Sequence, residues 1–442
     1  MSNWFSRFRP IWIALILGLL CFSLIASLEV LSFSNISWFR SADLITNYLG
    51  WAFYKNDAWH IPLGMNLEYG GPIGSSIVYS DSLPILAFFF KALAPLLSAQ
   101  IQYFGIWLLI CFLLQAYFSY KIISLVSKSN LVLCAATAIL LFSPPMLFRI
   151  GMHTALCAHF FILSALYLYL KPSPNNKWWW PLILCASLLT NFYLFVMVGA
   201  VWGASIFTKN NSGSWEIRKT IENVAIAIIC VGIAGWQAGY FLIHESAIAA
   251  EGIGYGIYRL NLLSLLDPNP FFSSNSWSLL LPIIRTNQDG VYEGFNYLGL
   301  GLLFLIPWVI NKNSVNIFKV WMNHYRSLWI LFTALTLFAV TNQISFGPYT
   351  WTIDLPEIFL SKASILRSSG RLFWPVWYGI AIVLIVLIIK LYKHAFLILL
   401  IALALQIVDT SNAWWGIHQK LKTDSQKVDI FTELLAPMND PF

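Results

Sequence analysis

Charged residues are scarce in this chain of 442 residues. Asp, Glu, Lys and Arg together make up 10% of the sequence, whereas a typical soluble domain has about 25%. Apolar residues reach 59%, and aromatic residues alone reach 17%. A water-soluble fold with so few charges cannot cover that much apolar surface, and a disordered or fibrous chain carries far less of it. The composition therefore excludes those classes and predicts a polytopic membrane protein.

Paired cysteines and nucleic-acid motifs are also missing. No two of the six cysteines have CxxC spacing, and all six lie inside apolar stretches, which predicts small buried side chains and neither a zinc site nor a disulfide framework. The net charge of +7 comes without a basic run interleaved with aromatic residues outside the spans. We therefore expect no nucleic-acid partner, and we interpret the basic excess as a topology signal.

Apolar runs of near-span length predict an all-α, polytopic transmembrane helix bundle with about eleven crossings. No alternating ten-residue segments occur, so an outer-membrane barrel is not expected. The predicted spans lie at 11–31, 101–126, 130–148, 152–170, 178–190, 191–208, 220–243, 297–310, 327–343, 373–390 and 395–411.

A twelfth apolar run, 83–97, is predicted to be a re-entrant or juxtamembrane helix. It is short for a span and contains a lysine and two prolines. If it crossed the membrane, Lys121 and Lys128 would fall outside, against the positive-inside rule. The basic flank before 11–31 predicts a retained signal anchor with a cytoplasmic N-terminus.

The same rule predicts that the long polar connections lie on the extracytoplasmic side. We expect one transmembrane domain over 1–411 with outer loops at 32–82, 244–296 and 344–372. A short extracytoplasmic tail, 412–442, follows it, since eleven crossings place the C-terminus outside.

The first outer loop supplies two candidate catalytic carboxylates. Leu44, Tyr48 and Trp51 have helical spacing, so an amphipathic helix over 43–54 is predicted, with Asp43 at or near its N-terminus. Asp81 closes the loop just before the run at 83–97. Each could act as a general base or a metal ligand, and each could instead be a helix cap.

The middle of the chain supplies further candidate binding residues. Arg149 and His153 follow the helix-breaking Pro-Pro pair in SPPMLFRIGMH and could bind a phosphate or a sugar hydroxyl. Arg259 and Glu293 are polar groups of the second outer loop, where aromatic residues could stack on sugar faces. The alternative for each of these residues is an ordinary interfacial position.

The sharpest local signal is RSSGR, just before the run at 373–390. Arg367 and Arg371 bracket two serines and a glycine there. Two guanidinium groups, hydroxyls and free backbone N–H groups at a helix start predict an anion cradle. The alternative is that the arginines extend toward lipid headgroups.

Five strings together resemble an uncharacterised bacterial family of integral membrane proteins that is placed, by fold, near the glycosyltransferase fold-C superfamily. The likeness covers roughly residues 38–411. The superfamily's enzymes use polyprenyl-phosphate-linked sugars. The strings are GSSIVYSDSLPIL, SPPMLFRIGMHTALCAH, YRLNLLSLLDP, YEGFNYLGLG and RSSGRLFWPVWY.

The resemblance implies a membrane glycosyltransferase of the bacterial plasma membrane, with a lipid-linked sugar donor and membrane lipid as its partners. Superfamily members often carry an acidic pair in the first outer loop, one acid of which is the catalytic base. Asp43 matches that base by position, but Leu44 follows it, so Asp81 is the second acid considered. No cofactor is identified, and a divalent metal ion stays open.

Two other functions remain open at this stage. The first is binding or translocation of lipid-linked saccharides without bond formation, which the arginine cradle and aromatic belts explain equally well. The second is another envelope enzyme, such as a polymer ligase or an acyltransferase. Few ionisable groups occur inside the predicted spans, which argues against ion-coupled transport.

Overall fold

The computed structural model describes residues 2–97, 100–171, 177–211, 217–241, 255–270, 276–284 and 290–422. Within these residues the chain is predominantly helical, with two small antiparallel hairpins. The helices are α1 Ser2–Ile25, α2 Ala42–Asn56, α3 Pro84–Leu93, α4 Phe104–Ile123, α5 Asn130–Leu141, α6 Pro144–Leu147, α7 Phe160–Leu170, α8 Trp179–Leu188, α9 Phe192–Asn211, α10 Ile217–Ala238, α11 Leu300–Val309, α12 Lys312–His324, α13 Arg326–Val340, α14 Glu357–Ala363, α15 Trp374–Leu391, α16 Ala395–Asp409 and α17 Ser411–Leu421. The strands are β1 Met65–Asn66, β2 Ser75–Ser76, β3 Gln343–Phe346 and β4 Tyr349–Thr352.

The prediction of about eleven crossings is wrong. Among the described residues, three helical segments are long and apolar enough to span a membrane: Phe104–Ile123, Ile217–Ala238 and Ser369–Leu391. The count rises to five if each of two sharply bent pairs is one span, α11 with α12 (102°) and α16 with α17 (54°). The protein is thus an all-helical membrane protein with three to five candidate spans.

Helix breakers within the apolar runs explain the lower count. The prediction treated each run as one unbroken helix, but most runs form helices of only 10–17 residues. In the run 130–148, α5 ends at Leu141 and Pro144 starts the separate helix α6. A twelve-residue helix is roughly 18 Å long, well short of the hydrocarbon core of about 30 Å. The predicted helix at 83–97 is present as the short helix α3.

Helix α2 confirms the predicted helix of the first loop. Leu44, Tyr48 and Trp51, the three apolar positions at helical spacing, are all buried. Trp51 donates its indole N–H to the carbonyl of Ile101, immediately before α4. Because α2 is packed into the protein core along this face, the start of the helix has a fixed position.

The first loop also holds the C-terminal end of α10. The last carbonyls of a helix have no partners within the helix. Here the backbone N–H of Gly64 donates to Gln237 (2.7 Å), and the Ser76 hydroxyl donates to Ala238 (2.8 Å). A Cβ at position 64 would lie 2.0 Å from the Ala238 carbonyl oxygen, so only glycine fits this contact. The loop thereby fixes α10 against α2.

The last long loop packs on the segments before α11. In the β3–β4 hairpin Gln343 pairs with Thr352, and Ser345 forms a parallel β-bridge with Asn261. Helix α16 anchors the segment leading into α11 through two buried side chains. Gln406 accepts the backbone N–H of Gly301, and Asp409 accepts the Tyr297 hydroxyl at 2.6 Å. These contacts position the residues around Glu293.

Candidate functional site

One cavity of about 750 Å³ brings together most of the predicted site residues. It lies between the start of α2, the turn after β2, the segment between α6 and α7, and the segment before α15. Helices α8, α9 and α10 complete its wall with mainly apolar side chains. The charged and amide groups that line it are Asp43, Asn47, Asp81, His153, Asn191, Arg367 and Arg371.

Glu293 adjoins this cavity and pairs with two arginines. Arg371 donates from Nε to Glu293 Oε2 at 2.7 Å and from Nη2 to Oε1 at 2.6 Å. Arg149 donates from Nη1 to Oε2 at 2.7 Å. All three side chains are less than a tenth exposed. Burial alone would raise the pKa of Glu293, but the two guanidinium groups lower it well below its usual range, so the carboxylate stays ionised.

His153 lies between Asp43 and Glu293. Its Nε2 is 3.6 Å from Asp43 Oδ2 and 3.9 Å from Glu293 Oε1. Burial and the positive charges of Arg371 and Arg149 lower the pKa of His153 to about 3. The imidazole is therefore neutral at neutral pH, and with its hydrogen on Nε2 it faces two carboxylate acceptors.

Asp43 does not cap α2. The N-cap is Ser41, whose hydroxyl oxygen accepts the Leu44 N–H. Asp43 stands in the first helical turn with half of its side chain exposed, and it lines the cavity. Burial and the negative charge of Glu293 raise the pKa of Asp43, and the positive charge of Arg371 opposes them.

Asp81 does not cap α3 either. The N-cap position of α3 is Leu83, which makes no side-chain capping bond. Asp81 has a left-handed backbone (φ 51°), and its Oδ1 accepts the Nδ2 hydrogen of Asn191 at 3.0 Å. Burial raises the pKa of Asp81 to about 6, against the lowering effects of Arg371 and Asn191. This carboxyl therefore titrates close to neutral pH.

The predicted arginine cradle is present in part. Arg371 and Arg367 both line the cavity, and exposed Arg367 forms no ion pair within the described residues. The backbone N–H groups expected to be free are in use, however. The N–H of Ser368 donates to the Tyr193 hydroxyl, and that of Gly370 donates to the carbonyl of Tyr258. Any anion in this cavity would therefore be bound by the arginine side chains.

Three predicted binding residues lie outside the cavity lining: Glu293, which adjoins it, Arg149 and Arg259. Arg149 is fully buried in its pairing with Glu293. Arg259 is buried against the β3–β4 hairpin, where it donates to the Ser345 hydroxyl and to the side-chain oxygen of Gln343. Arg149 thus supports the site through Glu293, whereas Arg259 holds the hairpin. Neither arginine lines the cavity, contrary to the prediction.

Sequence reasoning missed two residues at the junction between α8 and α9. Asn191 connects to Asp81, as described above, and its Oδ1 accepts the backbone N–H of Tyr193. The Tyr193 ring in turn lies 4.9 Å from the guanidinium of Arg371. The signal was a buried amide interrupting a long apolar run, since such a group needs a polar partner.

The described residues contain no group of three or more His, Cys, Asp or Glu side chains that could hold a metal ion. Mg²⁺ is often held by only one or two carboxylates together with substrate phosphates, so a divalent metal ion stays a prediction.

The comparisons with known proteins identify a family without an assigned activity. The chain belongs to the DUF6311 family, described as a domain of unknown function, whose model matches residues 15–411. No curated protein matches the chain, and no solved structure does either.

Replacement of Glu293 tests the ion cluster. Glu293→Gln leaves two buried guanidinium groups without their anion, and breaking such a pair costs about 3–5 kcal/mol. We expect a clear fall in the thermal unfolding midpoint of the purified protein in detergent. The control is Glu222→Gln, which removes an exposed pair with Arg218 and should leave the midpoint unchanged. Equal midpoints for the two variants would contradict the role given to Glu293.

Proposed function

We propose that this protein transfers a sugar from a polyprenyl-phosphate-linked donor to a hydroxyl group of a cell-envelope acceptor. The reaction would take place at the outer face of a bacterial plasma membrane. The observation that carries the proposal is the single cavity in which two carboxylates, a neutral imidazole and two arginines meet an apolar wall. A lipid phosphate needs both a cationic and an apolar surface, and a hydroxyl acceptor needs a base.

Asp43 is the proposed general base. The acceptor O–H proton passes to its carboxylate while the acceptor oxygen bonds to the anomeric carbon of the sugar. The bond from that carbon to the phosphate oxygen breaks, and its electron pair leaves with the polyprenyl phosphate. Asp43 suits this role because it is the more exposed acid and lies beside His153, which can orient the acceptor.

Arg367 and Arg371 are the proposed partners of the leaving phosphate. Glu293 holds Nε and Nη2 of Arg371, which fixes the guanidinium in place and leaves the Nη1 hydrogens outside that pairing. Arg367 is exposed in the same cavity. Fixed cationic donors of this kind stabilise the charge that develops on a leaving group, often by a few kcal/mol each.

The ends of the candidate spans support the proposed orientation. The cavity lies near the N-terminal end of the segment Ser369–Leu391 and the C-terminal part of α10. Basic residues mark the opposite ends: Lys390 on the first, and Arg218 with Lys219 on the second. By the positive-inside rule these ends are cytoplasmic, so the cavity opens on the other side. A cytoplasmic N-terminus would require the shorter apolar stretch Ile11–Ile25 of α1 to cross the membrane as well.

Cysteine labelling tests this orientation. Ile73→Cys in the first loop and Arg218→Cys at the start of α10 place thiols at positions that are both more than nine-tenths exposed. In intact spheroplasts a membrane-impermeant maleimide should label only the first, and after permeabilisation it should label both. The unsubstituted chain, with its six free cysteines, is the blank. Labelling of only the Arg218→Cys protein in intact spheroplasts would contradict this orientation and indicate the opposite one.

A transfer assay with purified protein tests the activity. With a radiolabelled polyprenyl-phosphate sugar and a cell-envelope acceptor fraction, we expect Asp43→Asn to lower the rate at least 100-fold, since general base catalysis contributes about 10²–10⁴-fold. The control is Asp354→Asn, which changes an exposed loop carboxylate that does not line the cavity.

The outcomes of this assay separate the functions. Full activity of Asp43→Asn would remove Asp43 from the mechanism. Movement of lipid-linked sugar between liposome leaflets without any transferred product would instead select the translocation function. The absence of an adjacent acid pair in the first loop is the feature that favours this second function.

The pH profile tests the carboxyl groups. Burial raises the pKa of Asp81 to about 6 and also raises that of Asp43, so the protonated acids persist to higher pH than in water. A base acts only when ionised, so kcat/KM should rise with pH as Asp43 ionises, at a higher pH than for an aspartate in water, and then level off. Asp81→Asn should move this acid limb to lower pH, because Asp43 loses a negatively charged neighbour. An acid limb at the same pH in Asp81→Asn would show that Asp81 does not influence the titration of Asp43.

A further inference from the structure

The apolar wall of the cavity includes an unusual part of α10. Gly232 and Gly235 line the cavity together with Val231. Little of α10 is buried, and the large side chains of Ile229 and Ile233 next to Gly232 are exposed. In a membrane these side chains contact lipid. At Gly232, therefore, only the glycine backbone separates the cavity from the exposed face of α10.

The depth of these glycines fits a lipid chain. Gly232 lies six residues before Ala238, the last residue of α10, which is roughly 9 Å at 1.5 Å per residue. Arg371 lies two residues after the start of its own candidate span. A phosphate at the arginines would thus sit near the membrane surface, and its chain would point inward along the glycines.

The space at Gly232 is open. A Cβ built on Gly232 meets no atom within 4 Å, and one on Gly235 meets only Leu188 and Phe241 at 3.4–3.6 Å. Phe192 and Phe195 of α9 line the same cavity. The apolar part of its lining therefore includes two glycines of α10 and two phenylalanine rings of α9.

We propose that this glycine-lined face of α10, Val231–Gly235, is the binding path for the hydrocarbon chain of the lipid phosphate, which enters sideways from the bilayer. The inference rests on the proposed function for its choice of ligand and adds the site and the route. The ligand carries one long apolar chain on its phosphate, which is a diester in the sugar-linked donor and a monoester in the polyprenyl phosphate that leaves. A polyprenyl phosphate and a bilayer phosphatidate share a phosphate with apolar chains, but the phosphatidate has two chains and needs a wider passage.

The test is a side chain placed in the passage. Gly232→Leu adds its volume to open space and improves helix propensity, so the fold should be retained. The control is Gly203→Leu on α9, whose Cβ likewise meets nothing within 4 Å and which does not line the cavity. Binding to protein in nanodiscs is measured for a long-chain polyprenyl phosphate, farnesyl phosphate, phosphatidate and inorganic phosphate.

We expect Gly232→Leu to weaken long-chain polyprenyl phosphate at least about tenfold, equal to about 1.4 kcal/mol, and to leave inorganic phosphate unchanged. Gly203→Leu should bind all probes as the native chain does, and Arg367→Gln should weaken every phosphate probe. Unchanged long-chain binding by Gly232→Leu would overturn the path but not the proposed function. Binding of phosphatidate in preference to polyprenyl phosphate, or of no lipid probe by the native chain, would overturn both.

Discussion

The site depends on one buried carboxylate that holds two buried arginines. Glu293 takes three hydrogen bonds from Arg149 and Arg371, and almost none of the three side chains reaches solvent. Burying an isolated guanidinium in an apolar interior is strongly unfavourable, so neither arginine would be stable there alone. With Glu293 in place, the trio carries one net positive charge next to the cavity, and this charge helps to keep His153 neutral.

The surrounding polypeptide keeps that trio in place through hydrogen bonds. Asp409 and Gln406 of α16 hold the chain that follows Glu293, while Tyr193 and Tyr258 hold the chain that carries Arg371. The carboxylates Asp43 and Asp81 arrive from the other side on α2 and on the turn after β2. The cavity thus lies between Arg371, which its ion pair with Glu293 holds in place, and the carboxylates Asp43 and Asp81. Helix packing holds Asp43, and the Asn191 amide holds Asp81.

The sequence predicted the helix α2 and most of the charged and amide side chains that line the cavity because their signals are local. Helical spacing marked Leu44, Tyr48 and Trp51, and the charges of Arg367 and Arg371 stand out next to an apolar run. Contacts between residues that are far apart in the sequence leave no such local signal. Glu293 and Arg149 are 144 positions apart, so nothing in either segment indicated that they pair, and Arg259 could not be assigned to the hairpin. The crossing count failed because hydropathy records composition and does not record where prolines and polar residues divide a helix.

The separation of the three charged partners along the chain has a consequence for biogenesis. Arg149 leaves the ribosome long before Glu293, and Arg371 follows 78 positions after Glu293. Until the acid arrives, the first arginine has no counter-ion and cannot settle at its final depth without a cost of several kcal/mol. Before Glu293 is synthesised, Arg149 has to remain hydrated to avoid this cost, and the charged cluster beside the cavity can form only after most of the polypeptide has been translated.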